Sequence, residues 1–336
     1  MEGLYMKKLK TAVVGVGSLG RHHAKWLSKL EQSELVGVYD LDRMKSEKCA
    51  SEYGTKAFES LGAVAQAAEA VSIVVTTSAH FEVASQLIDH GIHCLIEKPI
   101  TPSLDEASRL MDMARERGVK VTVGQIERFN PAVRALADLN VRPSFIEAHR
   151  LAAFDPRGTD VAVVLDLMIH DIDLALMFTR AKVANIQASA VAVVSDEADI
   201  ANARLTFENG AVANLTSSRI SLHQMRKLRI FQKSGYFSLD LAQKQADIYR
   251  LAGTGDKAEG MRVPLGKSGK DIIYTKKIDT GEDMLGAELA AFLDAVLHDS
   301  PVAVTMDEAT EALRVALEVK RIGLESIEKM LQEQSV

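Results

Sequence analysis

Apolar runs recur along the first 124 residues at 9–14, 35–39, 71–76, 93–96 and 119–123, short and rich in β-branched side chains. The stretches between them, around 19–31, 42–53, 79–91 and 103–117, place apolar residues at helical spacing. Strands buried on both faces read as such unbroken apolar runs, and strand–helix alternation predicts a parallel sheet with right-handed crossovers. Residues 1–124 are therefore expected to form a Rossmann-type domain. After Arg128-Phe129-Asn130-Pro131 the pattern changes, with a helix expected near 131–139, strands near 144–153 and a helix near 163–179. Period-two segments then take over. ANARLTF and AVANLTS, joined at Asn209-Gly210, read as a hairpin, because that pair accepts positive φ at little cost. Further strands are expected near 227–233, 236–240 and 246–251, and residues 252–283 as charged loops around short edge strands. Helices near 283–298 and 306–332 close the chain. The expected fold class is α/β: an N-terminal Rossmann parallel sheet, then an α+β domain over 125–305 with a large open mixed or antiparallel sheet. One face of that sheet would be covered by helices or by another subunit. Residues 306–336 are expected to form a helix packing back on the N-terminal domain.

Residues 11–40, TAVVGVGSLGRHHAKWLSKLEQSELVGVYD, set Gly15, Gly17 and Gly20 between an apolar strand and an amphipathic helix. This is the order of a dinucleotide site. Gly15 allows the tight turn, Gly17 lets the backbone approach a pyrophosphate, and Gly20 lets helix and strand pack closely. The helix starts near Ser18 and Leu19, so its free N–H groups face the phosphates. Asp40 ends the next apolar run, where a carboxylate accepts hydrogen bonds from a ribose diol. That points to NAD. Arg43 keeps NADP open, since a guanidinium three residues on can pair with a 2′-phosphate.

A chain of 336 residues is long for one core, and 47% hydrophobic with 26% charged residues is an ordinary globular balance. The formal net charge of −6 gives no electrostatic case for nucleic acid or an anionic membrane. Cys49 and Cys94 supply neither a disulfide framework nor metal spacing, so no metal is expected. MEGLYMKKLK, with Met6 as an alternative start, runs directly into the first strand without an apolar leader, and no apolar stretch approaches membrane-spanning length. A reducing cytoplasm is the expected setting.

Two places can carry chemistry. Glu97-Lys98-Pro99 follows the apolar run His93 to Ile96, at the strand end where open α/β sheets hold ligands. A lysine there can hold a substrate hydroxyl, or simply be a surface lysine. Asp166 and His170 stand four apart in an apolar segment, which puts carboxylate and imidazole on one helical face. Such a pair suits general acid–base work, or packs two elements together. Asp171 and Asp173 read as supporting or capping residues.

The set GVGSLG, TTSAHFEVASQLIDHGIHCLIEKPI, GQIERFNP, DLMIHDIDLAL and ARLTFENGAVANLTSSR resembles the Gfo/Idh/MocA oxidoreductase family nearly end to end. The resemblance implies NAD or NADP as cofactor and Lys98, Asp166 and His170 as the catalytic group, with His170 as acid/base and Lys98 on the reacting hydroxyl. It further implies that Thr76, Thr77, His80, Glu97, Lys98 and Gln125 border the cofactor, and that the Lys98–Pro99 peptide is cis. Thr77, Ser78 and Ala79 stand where the family often has a proline and an asparagine before the histidine matching His80. GQIERFNPAV is similar to the segment in members acting on nucleotide sugars, UDP-N-acetylglucosamine 3-dehydrogenases among them. Gln125, Glu127 and Arg128 would then reach nicotinamide or substrate; alternatively Glu127 and Arg128 pair with each other or cap the next helix. The leading expectation is an NAD(P)-dependent dehydrogenase acting on a secondary hydroxyl of a sugar or nucleotide sugar. The alternatives are a free polyol, aldose or inositol dehydrogenase, and a non-catalytic dinucleotide-sensing regulatory protein. The family habit of covering the open sheet face with another subunit implies a homodimer or homotetramer, a reading the apolar alternation at 201–218 accommodates.

Overall fold

The computed structural model describes residues 7–154, 161–195, 197–253, 259–268, 270–279 and 281–334. Met6 and part of the expected 252–283 loops, Lys257 included, lie outside them. The elements run β1 (Leu9–Val14), α1 (Ser18–Leu27), β2 (Ser33–Tyr39), α2 (Arg43–Tyr53), α3 (Leu61–Ala67), β3 (Ala70–Ile73), α4 (Thr77–Asp89), β4 (His93–Glu97), α5 (Leu104–Arg117) and β5 (Val121–Gly124). A 3₁₀ turn at Ile126–Phe129 leads to α6 (Pro131–Arg134) and β6 (Phe145–Leu151), and a π-helical turn at Val164–Met168 leads to α7 (Ile169–Thr179). There follow β7 (Val183–Val191), β8 (Ile200–Phe207), β9 (Val212–Ser218), β10 (Met225–Gln232), β11 (Gly235–Asp240), β12 (Gln245–Leu251), β13 (Met261–Pro264), β14 (Asp271–Lys277), α8 (Met284–Leu297) and α9 (Met306–Gln334). Among the described residues no helix is long and apolar enough to cross a membrane.

The chain divides into two compact units, Met1–Ile126 with Asp283–Glu311, and Glu127–Glu282 with Ala312–Val336. The first holds a parallel sheet in the order β2-β1-β3-β4-β5. Its helices start and stop on local signals. The Asp42 side chain caps α2 by accepting from the Met44 and Lys45 N–H groups, and Ser103 caps α5 by accepting from the Glu106 N–H. Leu285, Leu289, Phe292 and Leu293 of α8 join Leu9, Val13, Leu27 and Leu95 in the core, and Gly286 lies against the Trp26 ring. This division departs from the expected boundaries of 125–305 and 306–336. Residues 283–305 belong with the first unit, and from Ala312 on α9 belongs with the second. Apolar spacing shows that a helix has a buried face; it does not show which sheet buries it.

The second unit is one mixed sheet, β13-β14-β12-β11-β10-β6-β9-β8-β7, with β6 and β9 parallel and the other pairs antiparallel. The expected hairpin is β8–β9, with Gly210 at φ 83°. Its apolar positions Ala201, Ala203, Leu205, Phe207, Ala213 and Leu215 pack with α7 and with Ala312, Val315, Ala316 and Val319 of α9. The alternation at 201–218 is thus satisfied within the unit. The opposite face carries polar residues and a cross-strand ladder of rings, Phe145, Phe231, Tyr236, Tyr249 and Tyr274, with neighbouring centroids 4.7–5.8 Å apart. The helix expected at 131–139 is only the single turn of α6 followed by turns.

Candidate functional site

In the first unit Gly15 turns at φ 87°, and a Cβ there would lie 2.5 Å from the Val74 carbonyl oxygen. A Cβ on Gly20 would stand 1.8 Å from the Gly15 oxygen, so α1 approaches the strand end as closely as backbone allows. Gly17 has open space where a Cβ would be, and no side chain caps the first turn of α1 at Ser18 and Leu19. The orphan N–H groups of a helix start therefore face outward. Asp40 is held beside them, accepting from the Val16 N–H at 2.8 Å and the Asp42 N–H at 2.9 Å. Each oxygen keeps a lone pair for a ribose hydroxyl. Gly15, Gly17, Asp40 and Thr76 share the lining of one cavity of about 510 Å³.

Of the expected cofactor residues, only Gly15, Gly17, Asp40 and Thr76 line that cavity. Arg43 is not in that lining: its exposed guanidinium pairs with Glu47 at 2.7 Å and Glu59 at 3.6 Å. Lys45, which sequence reasoning passed over, lines the cavity instead. Thr77, the first residue of α4, is also outside the lining, next to Thr76. His80 is 1% exposed, with Nδ1 2.9 Å from the Pro99 carbonyl oxygen and Nε2 3.2 Å from that of Val75. Burial lowers its pKa, which the two carbonyl contacts oppose. It pins the loop after β3 to the turn after β4 and presents no ring nitrogen to a ligand.

The end of β4 carries Glu97 and half-buried Lys98, followed by a cis peptide to Pro99. Behind them lies a buried group that the sequence did not announce. The His23 ring stands 2.7 Å from the Ser72 hydroxyl through Nδ1 and 3.2 Å from Glu97 through Nε2. Gly124 leaves room for the Glu97 carboxylate, which a Cβ there would meet at 2.9 Å. Glu288 of α8 is 2% exposed, and neither of its oxygens has a hydrogen-bond partner among the described residues. Burial, then the charge of Glu97, pushes its carboxyl well above the usual range. Gln125 is buried, its amide oxygen also without a partner among the described residues.

In the second unit Asp166 lies in the π-helical turn and His170 in the first turn of α7, both half-buried, four residues apart. π-helical turns concentrate at functional sites. The residues around this pair are clamped. Arg150 of β6 donates through Nε and a terminal nitrogen to both oxygens of Asp171, at 3.0 and 2.8 Å, and through the other nitrogen to Glu127 at 2.7 Å. Asn130 donates to the remaining Glu127 oxygen at 3.0 Å. Arg128 grips Asp173 in a fork at 2.8 and 2.7 Å. Glu127 is thus held by Arg150 and Asn130, and Arg128 is anchored on Asp173 of α7. Among the described residues no group of His, Cys, Asp and Glu is placed to hold a metal ion.

Residues 9–125 match the model of the oxidoreductase family with the NAD-binding Rossmann fold, and residues 142–238 match the Gfo/Idh/MocA C-terminal domain. The chain belongs to the Gfo/Idh/MocA oxidoreductase family. It is 39% identical over 324 residues, 96% of its length and 99% of the relative's, to UDP-N-acetylglucosamine 3-dehydrogenase of Acidithiobacillus ferrooxidans. A solved structure of that enzyme superposes with a TM-score of 0.86 at 36% identity, covering 96% of this chain and 99% of the other. The scyllo-inositol 2-dehydrogenase (NAD(+)) of Bacillus subtilis is 27% identical over 233 residues, 64% of this chain and 68% of that one. The family's dinucleotide fits the first unit: open space at Gly17, an uncapped helix start and a preset Asp40 are what a pyrophosphate and a ribose diol require.

Proposed function

We propose that this NAD-dependent dehydrogenase oxidises a secondary hydroxyl of a nucleotide sugar, with the 3-hydroxyl of UDP-N-acetylglucosamine as the first candidate. The observation that carries the substrate is the end-to-end likeness at 39% identity to an enzyme of that name, against partial coverage by the inositol dehydrogenase. NAD, when bound, supplies the hydride acceptor. Lys98 holds the reacting oxygen with its ammonium group, an imidazole nitrogen of His170 accepts the hydroxyl proton, and Asp166 orients its neighbours. Asp40 selects the unphosphorylated ribose. The second reading, a free polyol, aldose or inositol, rests on the inositol dehydrogenase relatives. The face bearing the ring ladder and a polar hollow of about 500 Å³ is proposed to meet a second copy in a homodimer or homotetramer. Two free, buried cysteines accord with a reducing cytoplasm.

The test is NAD reduction with UDP-N-acetylglucosamine, other UDP-sugars, free sugars and inositols, run on native protein and on His170→Ala and Lys98→Ala. Each variant is expected to lose about 10²–10⁴-fold in kcat while NAD affinity holds. Turnover of inositols in preference to every UDP-sugar would transfer the assignment to the second reading. Equal loss of NAD binding would make the two residues structural.

A further inference from the structure

Arg150 stands on β6 with 3% exposure, and nothing in its sequence surroundings marks it as functional. Its three side-chain hydrogen bonds among the described residues run to two carboxylates, and those carboxylates belong to the residue after His170 and to the first residue of the second unit. We infer that Arg150 and Glu127 are positioning residues of the reaction, a buried brace that fixes the first turn of α7 through Asp171 and so fixes where His170 stands. The inference rests on the reading of His170 as the base.

The brace is saturated. Both Asp171 oxygens accept from Arg150, and the two Glu127 oxygens accept from Arg150 and Asn130. Asn130 is itself tied to the Leu241 carbonyl and caps α6 through Ala132. A planar guanidinium that bridges two carboxylates sets distance and angle together, which a lysine cannot do. The second fork, Arg128 on Asp173, holds the same helix two residues further along. Burial alone would cost this cluster dearly, and a buried ion pair seldom adds net stability over apolar packing. Its value is geometric: a displacement of about 1 Å at a reacting group can cost a hundredfold in rate.

The charges add a second readout. Glu127 and Asp171 outnumber Arg150 by one, while Arg128 and Asp173 cancel; Arg226 also faces Asp171 from β10. Burial raises the Asp171 carboxyl, with Arg150 opposing. The two carboxylates hold the guanidinium charged against its own burial. With Arg226 counted, the carboxylates and guanidinium groups of this cluster balance. Glu127→Gln removes one negative charge and leaves the cluster net positive, which disfavours protonation of a base beside it, so the acid limb of kcat/KM is expected to move to lower pH, by a few tenths to about one unit.

The experiment measures kcat, both KM values, the pH profile and the melting temperature of Arg150→Lys and Glu127→Gln, with His170→Ala beside them. Arg150→Lys is expected to lower kcat about tenfold or more, with KM for NAD within about twofold. Glu127→Gln should lower kcat less and shift the acid limb downward. The inference is overturned if both variants, per folded molecule, keep native kcat and profile, or if activity falls only in step with the folded fraction. If His170→Ala is as active as the native enzyme, the base assignment fails, whatever the brace variants do.

Discussion

The two halves of the machinery are built from different materials. The dinucleotide half is made of backbone: glycines whose missing Cβ atoms open space, an uncapped helix start, and one carboxylate preset by two N–H groups. The proposed acid–base half is made of side chains drawn from distant places, with Arg150 gripping Asp171 and Glu127 across 21 and 23 residues of chain and Arg128 gripping Asp173 across 45. A backbone site demands particular residues at adjacent positions, so it is written locally and tolerates little substitution. A site held by side chains demands partners that sequence spacing does not connect.

The largest effect should fall on the backbone half. Gly20→Val places a Cβ 1.8 Å from the Gly15 oxygen, an overlap with main chain that no rotamer relieves. NAD binding, read by calorimetry, is expected to vanish, with the melting temperature lowered. Arg150→Lys should leave NAD binding within about twofold. Were Gly20→Val to bind NAD within tenfold of native, the distinction between the halves would collapse.

The same difference explains what the sequence could show. The five parallel strands, the glycine loop, Asp40 and the Asn209-Gly210 hairpin were legible because each depends on neighbours along the chain. Arg43 and His80 misled for complementary reasons. Arg43 has the right charge at the right distance from Asp40, but Glu47 sits one helical turn on and takes it. His80 lies at the right loop but turns inward to two carbonyls. Arg150, His23 and Glu288 gave no local signal, since each is paired or buried by residues far away. The π-helical turn around Asp166 also escaped notice, because apolar spacing over five residues fits α and π periods alike.

A middle-sized effect should appear in stability. Glu288 is folded with a raised carboxyl, so the folded state keeps a proton that the unfolded state releases. Stability is therefore full below the ordinary glutamate value and declines as pH rises through the window up to the raised one. Each pH unit inside that window removes about 1.4 kcal/mol at most. Glu288→Gln removes the titration while keeping the shape. Its melting temperature is expected to fall less than native between pH 5 and pH 8, the two proteins converging at the acid end. Parallel curves would show that Glu288 stays ionised in spite of its burial and of Glu97.

The smallest effects sharpen the comparison within the backbone half itself, at the ribose end. Asp40 lines the cavity and is fixed by two N–H donors, whereas Arg43 is exposed and bound to Glu47 and Glu59. A carboxylate at that place repels a 2′-phosphate and accepts from a free diol, so Asp40→Ala should raise the ratio of kcat/KM for NADP over NAD by about tenfold. Arg43→Ala should change the same ratio by less than about twofold, because an exposed guanidinium already shared between two carboxylates has little attraction left for a phosphate. Lys45, the cation that does line the cavity, is held 3.3 Å from Asp42, and Lys45→Ala should fall between the two. If Arg43→Ala instead lowers NADP use more than Lys45→Ala, the Arg43 side chain leaves Glu47 for the phosphate when the dinucleotide binds. Selectivity would then depend on a side chain that moves, and not on the preset main chain around Asp40.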